Sequence, residues 1–191
     1  MPTSNPFAIS EILRRVIDLA PKSILDIGMG FGKWGVLFRE MLDVWNWRIE
    51  PSEWKVRIDG IEGYKKYHNP IHDFVYNDVL FEDVRKIDWV TVSSYDLICI
   101  FDVIEHLPKV DGYSLLSKLI SITNRAIYVT TPLPEDFSPS RHGKHGDDLE
   151  GHVEAWTPEE FVDHFNAKIV KFDSGRRGYR TYLAMIVRGD V

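Results

Sequence analysis

A chain of 191 residues, 44% of them hydrophobic and 27% charged, is long enough to bury one full core. Its formal net charge of −6 excludes bulk, sequence-blind binding of nucleic acid, and no apolar run reaches the roughly 18 residues of a membrane span. A single cysteine, Cys99, excludes an internal disulfide, and the first residues show no signal-peptide core, so the expectation is one cytoplasmic domain over residues 1–191.

The first predicted element is a helix within residues 1–20. Asn5 can cap it, Pro6 suits its first turn, and Ile9, Ile12, Leu13, Val16 and Leu19 recur at helical spacing until Pro21. Ser23 to Ile27 reads as a short buried strand, and the pattern turns helical again from about Lys33 to Trp45. "WKVRIDGIE" reads as a second strand ending near Glu62, and "DVLFED" as a third. "YDLICIFD" reads as a fourth, apolar enough to be buried on both faces as in a parallel sheet, with Cys99 as a core thiol. A helix from about Gly112 to Ile122 and a fifth strand, "AIYVTT", follow. Residues 132–154 are polar and rich in proline, glycine and histidine, and so long a connection is expected to form a lid loop. "TPEEFVDHF" opens a helix with Thr157 as cap and Glu160 as its capping-box partner. "KIVKFDS" and "TYLAMIVRG" close the chain as a hairpin around "GRRG". Alternating strands and helices with a final antiparallel pair predict a three-layer α/β fold. Core packing is expected for Trp45, Trp47, Trp54 and Trp156, and a solvated basic turn for Arg176, Arg177 and Arg180.

The connection after the first strand carries the strongest signal. "ILDIGMGFGKWG" clusters glycine at Gly28, Gly30, Gly32 and Gly35, and ligands in open α/β sheets bind at the carboxyl ends of strands. The dinucleotide pattern G-x-G-x-x-G needs its third glycine where Lys33 stands, which counts against a nicotinamide-dependent oxidoreductase. The pattern D-x-G-x-G-x-G is met in full by Asp26, Gly28, Gly30 and Gly32. On these residues the chain resembles the class I S-adenosylmethionine-dependent methyltransferases, from about Ser23 to Thr131. The resemblance implies a Rossmann-like, mostly parallel seven-stranded sheet ending in an antiparallel hairpin, with S-adenosylmethionine as cofactor. It implies that the glycines let the backbone pass close under the adenosyl group. The other reading is a tight strand-to-helix turn with no ligand.

The same resemblance places acids at the strand ends. Glu62 stands where the family's ribose-binding acid stands, beyond an insertion, "NWRIEPSEW", while Asp59 is expected within the strand. Asp83 stands for the acid at the adenine amino group, with Val84 flanking the ring, and Asp78 is its rival if the third strand comes earlier. Asp102 falls near the methionyl end of the cofactor. Together with Asp26 it suits a ligand that carries an ammonium and a sulfonium.

In "DVIEHL", Asp102, Glu105 and His106 share a face if a helix starts there. They are the predicted catalytic residues, with His106 as a general base. Alternatively His106 lines the substrate pocket and Glu105 caps or pairs locally. The segment also resembles the E-x-x-E-H element of two metal-dependent groups, the small-RNA 3′-end methyltransferases and the ubiquinone-pathway O-methyltransferases, with Asp102 in place of the first glutamate. The first group has a late histidine before W-T-x-x-x-F, and "GHVEAWTPEEF" offers His152 there. That resemblance implies a divalent metal, Mg or Mn, on Glu105, His106 and His152. His142 and His145 fall in the long loop, solvated or part of the lid. The N/D-P-P-Y/F element of base and glutamine amide methylation is replaced by "FDVIEH". The expected function is methyl transfer to a hydroxyl, or an amine, of a small molecule or glycan, with no nucleic-acid or membrane partner. A non-catalytic scaffold or regulatory subunit is the rival, and it would not need glycines and acids together.

Overall fold

The structure, a computed structural model, describes residues 4–140, 148–173, 175 and 180–189. Seven strands form one sheet: β1 (Ser23–Ile27), β2 (Arg57–Glu62), β3 (Asp78–Phe81), β4 (Tyr95–Phe101), β5 (Thr123–Pro132), β6 (Lys168–Phe172) and β7 (Thr181–Val187). Their spatial order is β3-β2-β1-β4-β5-β7-β6. Neighbours among β1 to β5 pair in parallel, and β7 is antiparallel to both β5 and β6. β7 therefore alone runs against the other strands. The chain leaves β1 on one side for β2 and returns on its other side as β4, which makes the carboxyl ends of β1 and β4 the switch point of the sheet.

Alternation along the strands builds the three layers. Ile24, Leu97 and Cys99 face one core, with Ile12 and Val16 of α1 (Ile9–Leu19) and Trp34 and Phe38 of α2 (Lys33–Leu42). Val75, at the end of the short helix α3 (Pro70–Val75), joins them. Leu25, Ile27, Ile98 and Ile100 face the other core, against Leu116 and Leu119 of α4 (Lys109–Ile122) and Phe161 of α5 (Pro158–Phe165). No described helix is long and apolar enough to cross a membrane.

Several expectations change in detail. Asn5 does accept from an amide, that of Phe7, but it caps a single 3₁₀ turn that leads into α1. α2 stops at Leu42, where buried Asp43 collects Arg39 (2.6 Å), Arg48 (2.8 Å) and the Lys55 amide (2.9 Å) and so ties down the insertion before β2. α3 was not legible, because six residues give too little periodicity. No α-helix starts at Asp102: only the 3₁₀ turn Ile104–His106 forms, because Pro108 keeps Leu107 extended and α4 begins after it. Asp78 opens β3, pairs with Arg57 on the surface (3.1 Å) and is not among the residues that line the cavity. Trp156 is core as expected, and Trp54 packs on the Arg39 guanidinium (4.2 Å), but Trp45 and Trp47 are 72% and 85% exposed. Arg180 is not a free turn residue, since it pairs with Asp136 (2.8 Å). His142, His145, Arg176 and Arg177 lie outside the described residues.

Gly28 shows what the loop after β1 demands. Its φ is +74°, and an added Cβ would fall 2.1 Å from Val103 Cγ2. The protein's own packing thus requires glycine there. Gly28→Ala is expected to cost about 1–2 kcal/mol for the left-handed backbone and about 1–3 kcal/mol more for overpacking. Urea unfolding checks this, and adding Val103→Ala should recover only the overpacking part.

Candidate active site

A cavity of about 300 Å³ lies at the switch point, and the chain just beyond the ends of β1 through β5 contributes to its wall. Gly28 and Met29 donate their amides to the Ile61 carbonyl (2.8 and 3.2 Å), which holds the glycine loop against β2. Gly30 donates to Glu62 Oε2 (2.9 Å), and its carbonyl accepts from His72 Nε2 (3.0 Å). Glu62 Oε1 accepts from the Tyr64 amide (2.8 Å), and the Gly63 amide also acts on this carboxylate, which lines the cavity. Burial pushes this carboxyl up, against the pull of the amides that bind it.

Two further groups at this end were missed by sequence reasoning. Tyr67 and Glu150 line the cavity, and the Tyr67 hydroxyl and Glu150 Oε2 are buried without a hydrogen-bond partner among the described residues. Tyr67 follows Glu62 closely in "EGYKKY", which was a usable signal; Glu150 sits in the long connection after β5 and had none. Leu149 and His152 of that connection also line the cavity. The Val153 and Glu154 amides dock on the Glu105 carbonyl (2.8 and 3.1 Å), so this part of the predicted lid rests on the site.

Asp83 and Val84 line the cavity from the loop after β3. Burial alone would raise the Asp83 carboxyl, but the Arg85 guanidinium (2.6 Å) and amide (2.9 Å) outweigh it and hold the carboxyl low. Asp102 adopts a left-handed φ of +54° and accepts from the Asn5 amide (2.7 Å) and the Thr130 hydroxyl (2.9 Å). Burial raises its carboxyl.

Asp26 and Gly32 depart from expectation, for neither is part of the cavity wall. Asp26 is buried behind the loop and accepts from the Tyr76 hydroxyl (2.6 Å), which in turn accepts from the Gly35 amide (3.2 Å). Gly32, at φ +93°, starts α2 and packs on Ile71 and His72. Both residues brace the loop from beneath. Burial pushes the Asp26 carboxyl up from 3.8 to about 7, against the Tyr76 hydrogen bond. Between those values the folded protein keeps a proton that the unfolded chain releases, so stability falls as pH rises, by up to roughly 1.4 kcal/mol per pH unit. Urea unfolding from pH 5 to 8 should show this fall in the wild type and a smaller one in Asp26→Asn.

Glu105, also in the cavity wall, is 1% exposed, and its Oε2 has no partner among the described residues. Burial, reinforced by the Asp102 charge, holds its carboxyl well above the usual range. His106 Nδ1 lies 3.0 Å from the Gly151 carbonyl, which can only accept, and the Asp102 backbone is a second hydrogen-bond partner of the ring. Burial pushes this imidazole down to about 4, which keeps it neutral at physiological pH. The His152 ring lies 4.9 Å from it, stacked on Phe137 at 5.9 Å. Glu105, His106 and His152 each offer one donor atom, all within 4.8 Å of one another. The expected trio thus meets in space, although Asp102 reaches the cavity from just after β4, and Glu105 and His106 from the 3₁₀ turn, rather than from one helix face.

A protein family described as "Methyltransferase domain" matches residues 6–168. No protein of curated function matches the sequence. Among solved structures, the chain is similar to the N-terminal domain of EvdMO1 in the presence of SAH and D-fucose. That match has 14% identity, covers 94% of this chain and 82% of the other, and has a TM-score of 0.64. It is also similar to a SAM-dependent methyltransferase from Archaeoglobus fulgidus (18% identity, 94% and 93% covered, TM-score 0.62). A third is CalS10, an amino pentose methyltransferase from Micromonospora echinaspora (13% identity, 93% and 89% covered, TM-score 0.60). At such identities these likenesses establish the fold.

Proposed function

The chain belongs to this family of methyltransferase domains and is a class I, S-adenosylmethionine-dependent enzyme, and we propose that its acceptor is a hydroxyl, or less readily an amine, of a small molecule or glycan. In this reading Gly28 and Gly30 pass under the adenosyl group, Glu62 accepts from the ribose hydroxyls, and Asp83 and Val84 meet the adenine. Asp102 faces the ammonium of the methionyl end. Asp26 and Gly32 support the loop from behind. Charge-assisted hydrogen bonds of the Glu62 kind are worth about 1.5–3 kcal/mol each.

Methyl transfer from a sulfonium is an in-line displacement with an activated leaving group, so holding acceptor and methyl in line does much of the work. A hydroxyl still carries its proton at neutral pH and needs a base. The His106 ring in the cavity wall, oriented by the Gly151 carbonyl beside buried Glu105, is the single observation that carries this reading. The similar proteins described with D-fucose and as an amino pentose methyltransferase support a polyhydroxylated acceptor.

A second reading gives the same trio to a divalent cation. One carboxylate oxygen without a partner and two imidazoles within 4.8 Å form a donor set that suits Mg²⁺ or Mn²⁺. The Gly151 carbonyl orients His106 as ligating histidines are oriented. A cation held by Glu105, His106 and His152 would supply Lewis-acid activation of the hydroxyl. The test is a panel of hydroxyl and amine acceptors with metal-stripped protein, with and without Mn²⁺. Turnover of hydroxyl acceptors alone supports the first statement, and turnover restricted to the Mn²⁺ arm assigns the trio to the metal. Turnover of amines alone overturns the hydroxyl reading.

A further inference from the structure

We propose that Lys33 binds the carboxylate of the cofactor's methionyl end, which makes it a positioning residue for the transferred methyl group; the inference rests on the cofactor reading above. The cofactor carries three charges there, an ammonium, a sulfonium and a carboxylate. The cavity wall presents five carboxyls and two imidazoles. Among the described residues that form the wall, Lys33 is the one lysine or arginine. Among the lysine, arginine, aspartate and glutamate side chains of that wall, it alone is opposite in sign to a carboxylate.

The position of Lys33 is costly on local grounds. It is the first residue of α2, where the helix dipole disfavours a cation, and it is partly buried. Burial lowers its ammonium, while the charges of Asp102 and Asp26 oppose that fall. A local misfit in a cavity wall is the mark of a residue kept for its ligand. Its Nζ donates to the Ser4 carbonyl (2.6 Å) and lies 5.2 Å from the centre of the Trp34 ring. An ammonium has three donors, so donors remain for a carboxylate. The amides at the start of α2 add to the same anion-favouring field. Asp102 and Lys33 thus provide opposite charges for the two ends of one amino-acid zwitterion.

The rival is a purely structural lysine that pins Ser4. Calorimetry with S-adenosylmethionine and with its decarboxylated analogue separates the two. The wild type is expected to prefer S-adenosylmethionine by about 10- to 100-fold. Lys33→Gln should lose that preference by weakening S-adenosylmethionine alone, and Lys33→Arg should keep most of it. An equal loss for both ligands in Lys33→Gln, or a wild type that binds both alike, overturns the proposal. A wild type that binds neither overturns the cofactor reading itself, and this inference with it.

Discussion

The His106→Ala enzyme is expected to turn over about 100- to 10,000-fold more slowly, the range for losing a positioned proton acceptor, while S-adenosylhomocysteine binds as it does to the wild type. The ring hydrogen-bonds backbone, at Gly151 and Asp102, and makes no contact with Glu62 or the glycine loop, so its removal should leave the adenosyl end of the cavity in place. Because burial holds the imidazole down to about 4, the wild type should keep a neutral ring, and with it activity, down to mildly acid pH. Single-turnover rates with labelled cofactor, alongside calorimetry, check both halves. If the variant also loses Mn²⁺ binding, His106 acts as a ligand. An unchanged rate would remove it from the reaction centre.

Glu62→Ala is expected to weaken S-adenosylhomocysteine at least about a hundredfold, since two charge-assisted hydrogen bonds of about 1.5–3 kcal/mol each disappear together. The loss has a second source. Glu62 accepts from the Gly30 and Tyr64 amides, so alanine leaves two N–H groups without acceptors and frees the glycine loop. Stability should fall by about 1–3 kcal/mol for each amide left buried and unsatisfied. Glu62→Gln retains one acceptor oxygen and should show intermediate affinity and stability. Thermal unfolding together with calorimetry separates loop collapse from lost ligand contacts. Unweakened binding in the alanine variant would take the ribose away from this carboxylate.

Much of the fold was legible because its signals are local. The apolar runs at Ser23–Ile27 and Tyr95–Phe101 are buried on both faces and read as inner strands, and the Thr157–Glu160 capping box forms as predicted. Glycine after β1 was legible too, although its reason proved partly internal: Gly28 answers to Val103, and Gly35 to the Tyr76 ring at 2.5 Å from an added Cβ. The face that "DVIEHL" would offer if a helix started there does not form, and the signal against it was present, the proline at Pro108. The exposure of Trp45 and Trp47 had no local signal, because a tryptophan's burial depends on what packs over it.

The site divides in the same way. From the sequence alone followed the order of strands and helices, the glycine loop, and the acids at the strand ends, because each depends on residues close together in the chain. Only the tertiary structure decided which of them meet the cavity. Asp26 and Asp102 look alike as strand-end acids, yet one braces Tyr76 from behind the loop and the other lines the cavity wall. His152 reaches Glu105 and His106 through the docking of Val153 and Glu154, and Ser4 meets Lys33 across the fold of the N-terminal segment. Such contacts join residues far apart in sequence, so no spacing or periodicity encodes them, and packing of the whole chain around the sheet sets them.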